Sequence, residues 1–153
     1  MPEWGYAAKG LDPDKTVRAM AREIDVSPKF SRELCCAVVG LKLDRAKNLM
    51  EDVMNKKRPI PYRRHRKERG HRRGAGGPGG FPVKIARHVL RLLESLEANA
   101  EFKGLAPSDI KITHAFVQKG RRIRRVIERA HGRATPYDKQ LVIIQLIGQE
   151  AAS

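Results

Sequence analysis

Aromatic side chains are scarce in this sequence: four Phe, three Tyr and one Trp make up 5% of 153 residues. That scarcity argues against the serial base-stacking platforms on which some single-strand binders rely. Cysteine is rarer still. Cys35 and Cys36 are neighbours, so they build no disulfide framework and fit a reducing intracellular compartment. Adjacent cysteines are not a spaced knuckle either, which disfavours zinc binding through Cys35, Cys36, His65 and His71. No apolar run approaches the ~18 residues of a membrane span. Met1-Pro2-Glu3-Trp4 lacks the basic start and apolar stretch of a signal peptide. Secreted scaffolds and membrane proteins are therefore not expected, and no membrane partner is read.

Catalytic signatures are also missing. The five histidines (65, 71, 88, 114 and 131) are scattered, without a His-x-Glu pair or a nucleophile elbow. The glycine-rich run at 74–80 lacks the Gly-Lys-Ser/Thr ending of a phosphate loop and follows no strand, so it reads as a linker. His114 alternates with Ile112 and Phe116 and reads as a strand residue at the core margin. The two cysteines read as one buried and one partly exposed side chain on a helix. The sequence is expected to be no enzyme, with no cofactor and no metal.

What the sequence does have is positive charge, unevenly placed. There are 32 Lys+Arg against 17 Asp+Glu, a net +15. Residues 56–73 hold ten cations (Lys56, Lys57, Arg58, Arg63, Arg64, Arg66, Lys67, Arg69, Arg72, Arg73) and one acid, Glu68. Residues 119–133 hold seven (Lys119, Arg121, Arg122, Arg124, Arg125, Arg129, Arg133) and one acid, Glu128. These two segments carry the whole net charge, and the other 120 residues are neutral. A balanced body with two polycationic segments suits a polyanion, because neutralising phosphates releases counterions. Arg outnumbers Lys six to one in the second run, and its planar fork pairs with phosphate and stacks on bases. With His131 at the same stretch, these side chains form the candidate RNA-binding set. No helix carries a basic face with major-groove readers, so folded RNA fits better than duplex DNA.

The length suits a single domain spanning 1–153, and periodicity gives it an α+β order. Residues 1–15 read as an irregular arm. Residues 16–26 read as a half-buried strand, with Val17, Ala19 and Ala21 on one parity. Ser27-Pro28 reads as a helix start; Phe30, Leu34, Ala37 and Val38 form the stripe, and Gly40 is the stop. A second helix spans 43–55 through Leu43, Ala46, Met50 and Val53, its dipole complemented by the cations that follow. Residues 57–82, basic and then glycine-rich, are too polar for a core and are expected to order only on RNA. A third helix of about 20 residues runs from Pro82 to Gly104 with Ile85, Val89, Leu92 and Leu96 as its stripe. Strands follow at 110–117 and 141–147, the latter apolar on both parities like a central strand. Between them residues 118–140 either coil or extend the ladder, with His131-Gly132 as a turn. An extended ribbon of ~10 residues per arm reaches on the order of 30 Å, and is barely stable alone.

This order, with three local motifs, resembles the universal large-ribosomal-subunit proteins of the L-twenty-two family, L-seventeen in eukaryotes. The motifs are Val26-Ser27-Pro28-Lys29, Leu96-Glu97-Ala98-Asn99-Ala100-Glu101 and Arg129-Ala130-His131-Gly132-Arg133-Ala134. The last is the most diagnostic, since the family carries Arg-Ala-x-Gly-Arg-Ala there. The resemblance covers roughly 16–150. Trp4-Gly5-Tyr6 and the insertion at 57–82 look like the archaeal and eukaryotic branch rather than the bacterial one, and the end at Ser153 looks more archaeal. It implies three helices packed on a small antiparallel sheet, with a long protruding β-hairpin that lines the nascent-peptide exit tunnel. The tip would be Arg124, Arg125, Val126, Ile127, Glu128, Arg129, Ala130, His131, Gly132 and Arg133; Glu128 stands where bacterial relatives often have proline. The implied partners are large-subunit rRNA, neighbouring ribosomal proteins and the passing nascent polypeptide, in the cytoplasmic ribosome. The rival reading is a free RNA chaperone or assembly factor, which a high-salt wash strips from large subunits while a structural component stays stoichiometric.

Overall fold

The computed structural model describes residues 5–150. Trp4 of the expected arm, the opening Met1-Pro2-Glu3 and the final Ser153 lie outside the described residues. The floor of the fold is a three-stranded antiparallel sheet in the order β1 (Thr16–Ile24), β8 (Lys139–Glu150), β5 (Ile110–Ile123). β8 is central, as its two-sided apolar run predicts. Every residue from 141 to 148 is buried, and Leu146 lies in register between Ala19 and Ala115. Val142, Ile144 and Leu146 face the main core, and on the other parity Ile143, Gln145 and Ile147 are buried as well. The irregular N-terminal arm meets this second set. The Ala7 N–H donates to Gln145 Oε1 (2.9 Å), and Gln145 Nε2 donates to the Gly5 carbonyl (3.2 Å). One buried amide is thereby satisfied by the arm itself.

Three helices cover the opposite face: α1 (Pro28–Val38), α2 (Leu43–Met54) and α3 (Val83–Phe102). Their apolar stripes converge on one cluster that includes Leu34, Val38, Met50, Val53, Val89, Leu93 and Leu96. Each buried Leu, Val or Met there contributes roughly 1.5–3 kcal/mol relative to exposure. Phe30 and Ala37, expected in the α1 stripe, are half-buried and pack at its margin. Ser27 occupies the N-cap with Pro28 next, yet its hydroxyl makes no capping bond. Instead its carbonyl accepts from the Ser31 N–H and Oγ. Gly40 and Gly104 end α1 and α3 at φ +87° and +73°. α2 stops by the same geometry without a glycine. Lys56 sits at φ +57°, its N–H donating to the Val53 carbonyl while the Lys57 N–H reaches Asp52.

Residues 57–82 depart from the expected linker. They fold into a small lobe whose strands β2 (Ile60–Pro61), β3 (His71–Arg72) and β4 (Gly77–Gly80) pair in the order β2-β4-β3. Ile60 and Tyr62 join the main core, 1% and 7% exposed, so the segment contributes core side chains after all. Two of the glycines serve close packing. A Cβ at Gly79 lies 2.7 Å from Ala75 Cβ, and one at Gly80 lies 2.6 Å from the Tyr62 hydroxyl.

The long hairpin takes the extended alternative. The β5–β8 ladder continues to the Ile123–Lys139 pair. Beyond a break at Arg124-Arg125 it resumes as β6 (Val126–Glu128) against β7 (Ala134–Pro136). The tip closes where the Arg129 N–H donates to the Arg133 carbonyl (2.8 Å), with His131 and Gly132 at φ +60° and +66°. Residues 121–137 are all exposed, so this ribbon contributes nothing to the core.

Candidate nucleic-acid interface

The two basic segments fold into separate surfaces. In the lobe, Lys56, Lys57 and Arg58 from the end of α2 meet Arg72 and Arg73 around one cleft of about 550 Å³. On another side Lys29, Arg64, His65, Lys67 and Arg69 line a second cleft of about 290 Å³. Arg63 and Arg66 are exposed beside them. None of the ten cations in 56–73 forms an ion pair among the described residues.

A buried acid organises this lobe from beneath. Glu33 on α1 is 4% exposed and accepts three backbone N–H groups: Arg63 on Oε2 (2.9 Å), Arg64 and His65 on Oε1 (3.0 and 2.8 Å). Burial pushes the Glu33 carboxyl up, but the N–H donors of Arg63, His65 and Arg64 together outweigh it and leave the group below its ordinary value. A carboxylate thus fixes the backbone of a polycationic turn while the side chains of Arg63 and Arg64 stay exposed.

The hairpin cations divide into two groups. At the root, Arg121 is engaged bidentately by Glu23 (Nε–Oε1 3.1 Å, Nη2–Oε2 2.7 Å). That hydrogen-bonded guanidinium holds the Glu23 carboxyl below its usual range. Arg122 pairs with Asp138, which also accepts the Arg125 N–H (3.1 Å) at the break between stem and tip. Lys139 and Lys84 share Asp25 (2.7 and 2.9 Å). The Glu23 and Asp25 bridges tie the ribbon's root to the end of β1 and to α3, whereas Arg122–Asp138 spans the ribbon's own two arms. Lys119, on the body side of this root opposite Val142, and Arg124, Arg125, Arg129 and Arg133 further out form no ion pair among the described residues, and His131 stands exposed at the turn. The sequence names every one of these cations, but it does not separate the tethered pair Arg121 and Arg122 from the rest. It also misses Glu23, Glu33 and Asp138, whose only local signal is to be an acid facing distant basic runs.

The other chemistry-bearing residues stay apart. Cys35 is buried and its thiol is pushed up to about 12, chiefly by that burial, while Cys36 is exposed. His114 is half-buried and stacks on Phe116 at 5.7 Å. No helix among the described residues is long and apolar enough to cross a membrane.

Comparison with known proteins gives this arrangement its setting. Residues 19–149 match the family described as Ribosomal protein L22p/L17e. The chain belongs to this family. The large ribosomal subunit protein uL22 of Thermofilum pendens is 41% identical over 150 residues, spanning 98% of this chain and 99% of its own length. The protein of the same name from Archaeoglobus fulgidus is 44% identical over 151 residues, with 97% of each chain covered. That of Methanocaldococcus jannaschii is 46% identical over 142 residues, or 92% of this chain and 91% of its own. This L22p/L17e member is of the archaeal type. It is a structural constituent of the large ribosomal subunit, a cytoplasmic ribosomal component and not an enzyme.

Proposed function

We propose that this chain holds large-subunit rRNA with two sets of cations and sends its hairpin into the nascent-peptide exit tunnel. The first set is Lys56, Lys57, Arg58, Arg63, Arg64, Arg66, Lys67, Arg69, Arg72 and Arg73 on the lobe. The second is Lys119, Arg124, Arg125, Arg129, His131 and Arg133 on the ribbon. Arg121 and Arg122 contribute mainly by holding the ribbon's root. The observation that carries this reading is the missing counter-charge: among the described residues none of the lobe's ten cationic side chains forms an ion pair. Like charges crowded without partners repel and cost stability unless an external polyanion neutralises them. The exposed distal ribbon supports the tunnel placement, since a thin two-stranded arm with no core of its own gains order when packed inside something larger. Neighbouring ribosomal proteins then adjoin the helical body, and the nascent polypeptide passes the segment from Arg124 through Val126, Ile127, Glu128 and Ala130 to Gly132 and Arg133.

The salt dependence of rRNA binding tests the lobe. Each neutralised phosphate contributes roughly 0.7–0.9 to the slope of log K against log salt. Replacing Arg63, Arg64, Arg66 and Arg73 by Gln is expected to flatten that slope by about 3 if all four reach phosphate, with the fold intact because all four are exposed. An unchanged slope would place these side chains in solvent and remove the lobe from the interface.

A further inference from the structure

On the lobe's outer side, Arg69 lies over the Phe30 ring with its guanidinium carbon 4.3 Å from the centroid. Tyr62 stacks on the same Phe30, ring centroids 5.0 Å apart and planes inclined by 28°. Tyr62 is fixed in the core and Phe30 is half-buried, whereas Arg69 is exposed. An arginine pinned to a ring has already given up much of its rotamer freedom, so a ligand that stacks on it orders little more. Clefts of about 590 and 290 Å³ open beside this assembly, and Phe30, Glu68 and Arg69 line both.

We propose that Arg69, backed by Phe30 and Tyr62, is a stacking site for one unpaired rRNA nucleotide, whose base edge is read by Glu68. The proposal rests on the rRNA-binding reading and deepens it. Guanidinium planes and aromatic rings are the surfaces on which unstacked RNA bases settle. Arg64, Lys67 and Arg72 line the same clefts and stand ready for the flanking phosphates. Glu68 is the feature that phosphate binding alone leaves unexplained. It is the one acid among ten cations in 56–73, forms no ion pair among the described residues and holds a left-handed backbone at φ +57°. A carboxylate there repels phosphate oxygens, yet it accepts hydrogen bonds from an exocyclic amino group, as it does from cytosine N4. The expected base therefore carries such a group.

The test pairs two probes on large-subunit rRNA bound to the full chain. Hydroxyl radicals report the backbone footprint; dimethyl sulfate and kethoxal report base reactivity. The wild-type chain is expected to protect one unpaired base inside the footprint. Arg69→Lys keeps the charge at an exposed position but removes the plane. It is expected to lose that protection and about tenfold in affinity while the backbone footprint persists. Phe30→Leu is expected to do the same, with thermal melting confirming that it folds. Protection that survives both substitutions, or no protected base within a wild-type footprint, overturns the stacking site. Absence of any wild-type footprint would instead remove rRNA binding itself, and the stacking site with it.

Discussion

At the scale of single residues, the acids decide where the cations go. Glu33 ties the backbone at 63–65 to α1, so Arg63 and Arg64 project from a fixed turn. Because its carboxyl is depressed in the folded state, the stability it contributes is complete above the unfolded carboxyl's ordinary value. That contribution is lost as pH falls through the lower folded value. Glu33→Gln is expected to abolish this acid-side component and to speed amide exchange at Arg63, Arg64 and His65, with α1 unaffected. Equal exchange in both proteins would show that the turn stands without the carboxylate. None of this was readable locally: Glu33 lies thirty residues before its partners, and a helix surface position is an ordinary place for Glu. The cations themselves were fully readable, because clustering of one sign needs no knowledge of the fold.

At the scale of elements, legibility followed pattern. β8 was clear because β-branched residues on both parities have few other uses, and α1 and α3 because a glycine stands where each chain turns left-handed. α2 ends at Met54, one residue before the end its pattern predicts, since Lys56 performs the same turn without a glycine's signature. The lobe was misread for a physical reason. Its order comes from Ile60 and Tyr62 reaching the core and from Glu33, contacts that no periodicity encodes in a polar, glycine-rich stretch. Of the two readings the residues leave open for 118–140, the ribbon takes the extended one that the family resemblance implies, while its break at Arg124-Arg125 and the Asp138 contacts there carry no local signal. Because residues 121–137 are exposed and the half-buried Asp138 is no part of the core, replacing 124–138 with an Asn-Gly turn removes no core side chain. The expected loss is within about 1 kcal/mol, the scale of one surface ion pair such as Arg122–Asp138. Thermal melting checks this; a loss of several kcal/mol would mean the tip stabilises the body.

At the scale of the whole molecule, charge and packing are divided. A neutral α+β body folds by burying helix stripes on one sheet, and two projections carry all the excess charge. The body needs no RNA to hold its core, while the projections have most to gain from one. That division explains why acids cluster at the ribbon's root, where Glu23 and Asp25 bind it to the body and Asp138 braces its two arms, and are nearly absent beyond. The tethered ribbon is expected to carry its free cations into the rRNA interior. Cleavage of rRNA from an iron chelate at the tip tests it most directly, in large subunits reconstituted with a His131→Cys, Cys36→Ser chain. Cys35 needs no replacement, since burial holds its thiol protonated with a pKa of about 12. The expected result is cleavage of rRNA strands that line the exit tunnel, from more than one side of the tip. Cleavage confined to surface helices, or none in fully assembled subunits, would contradict it.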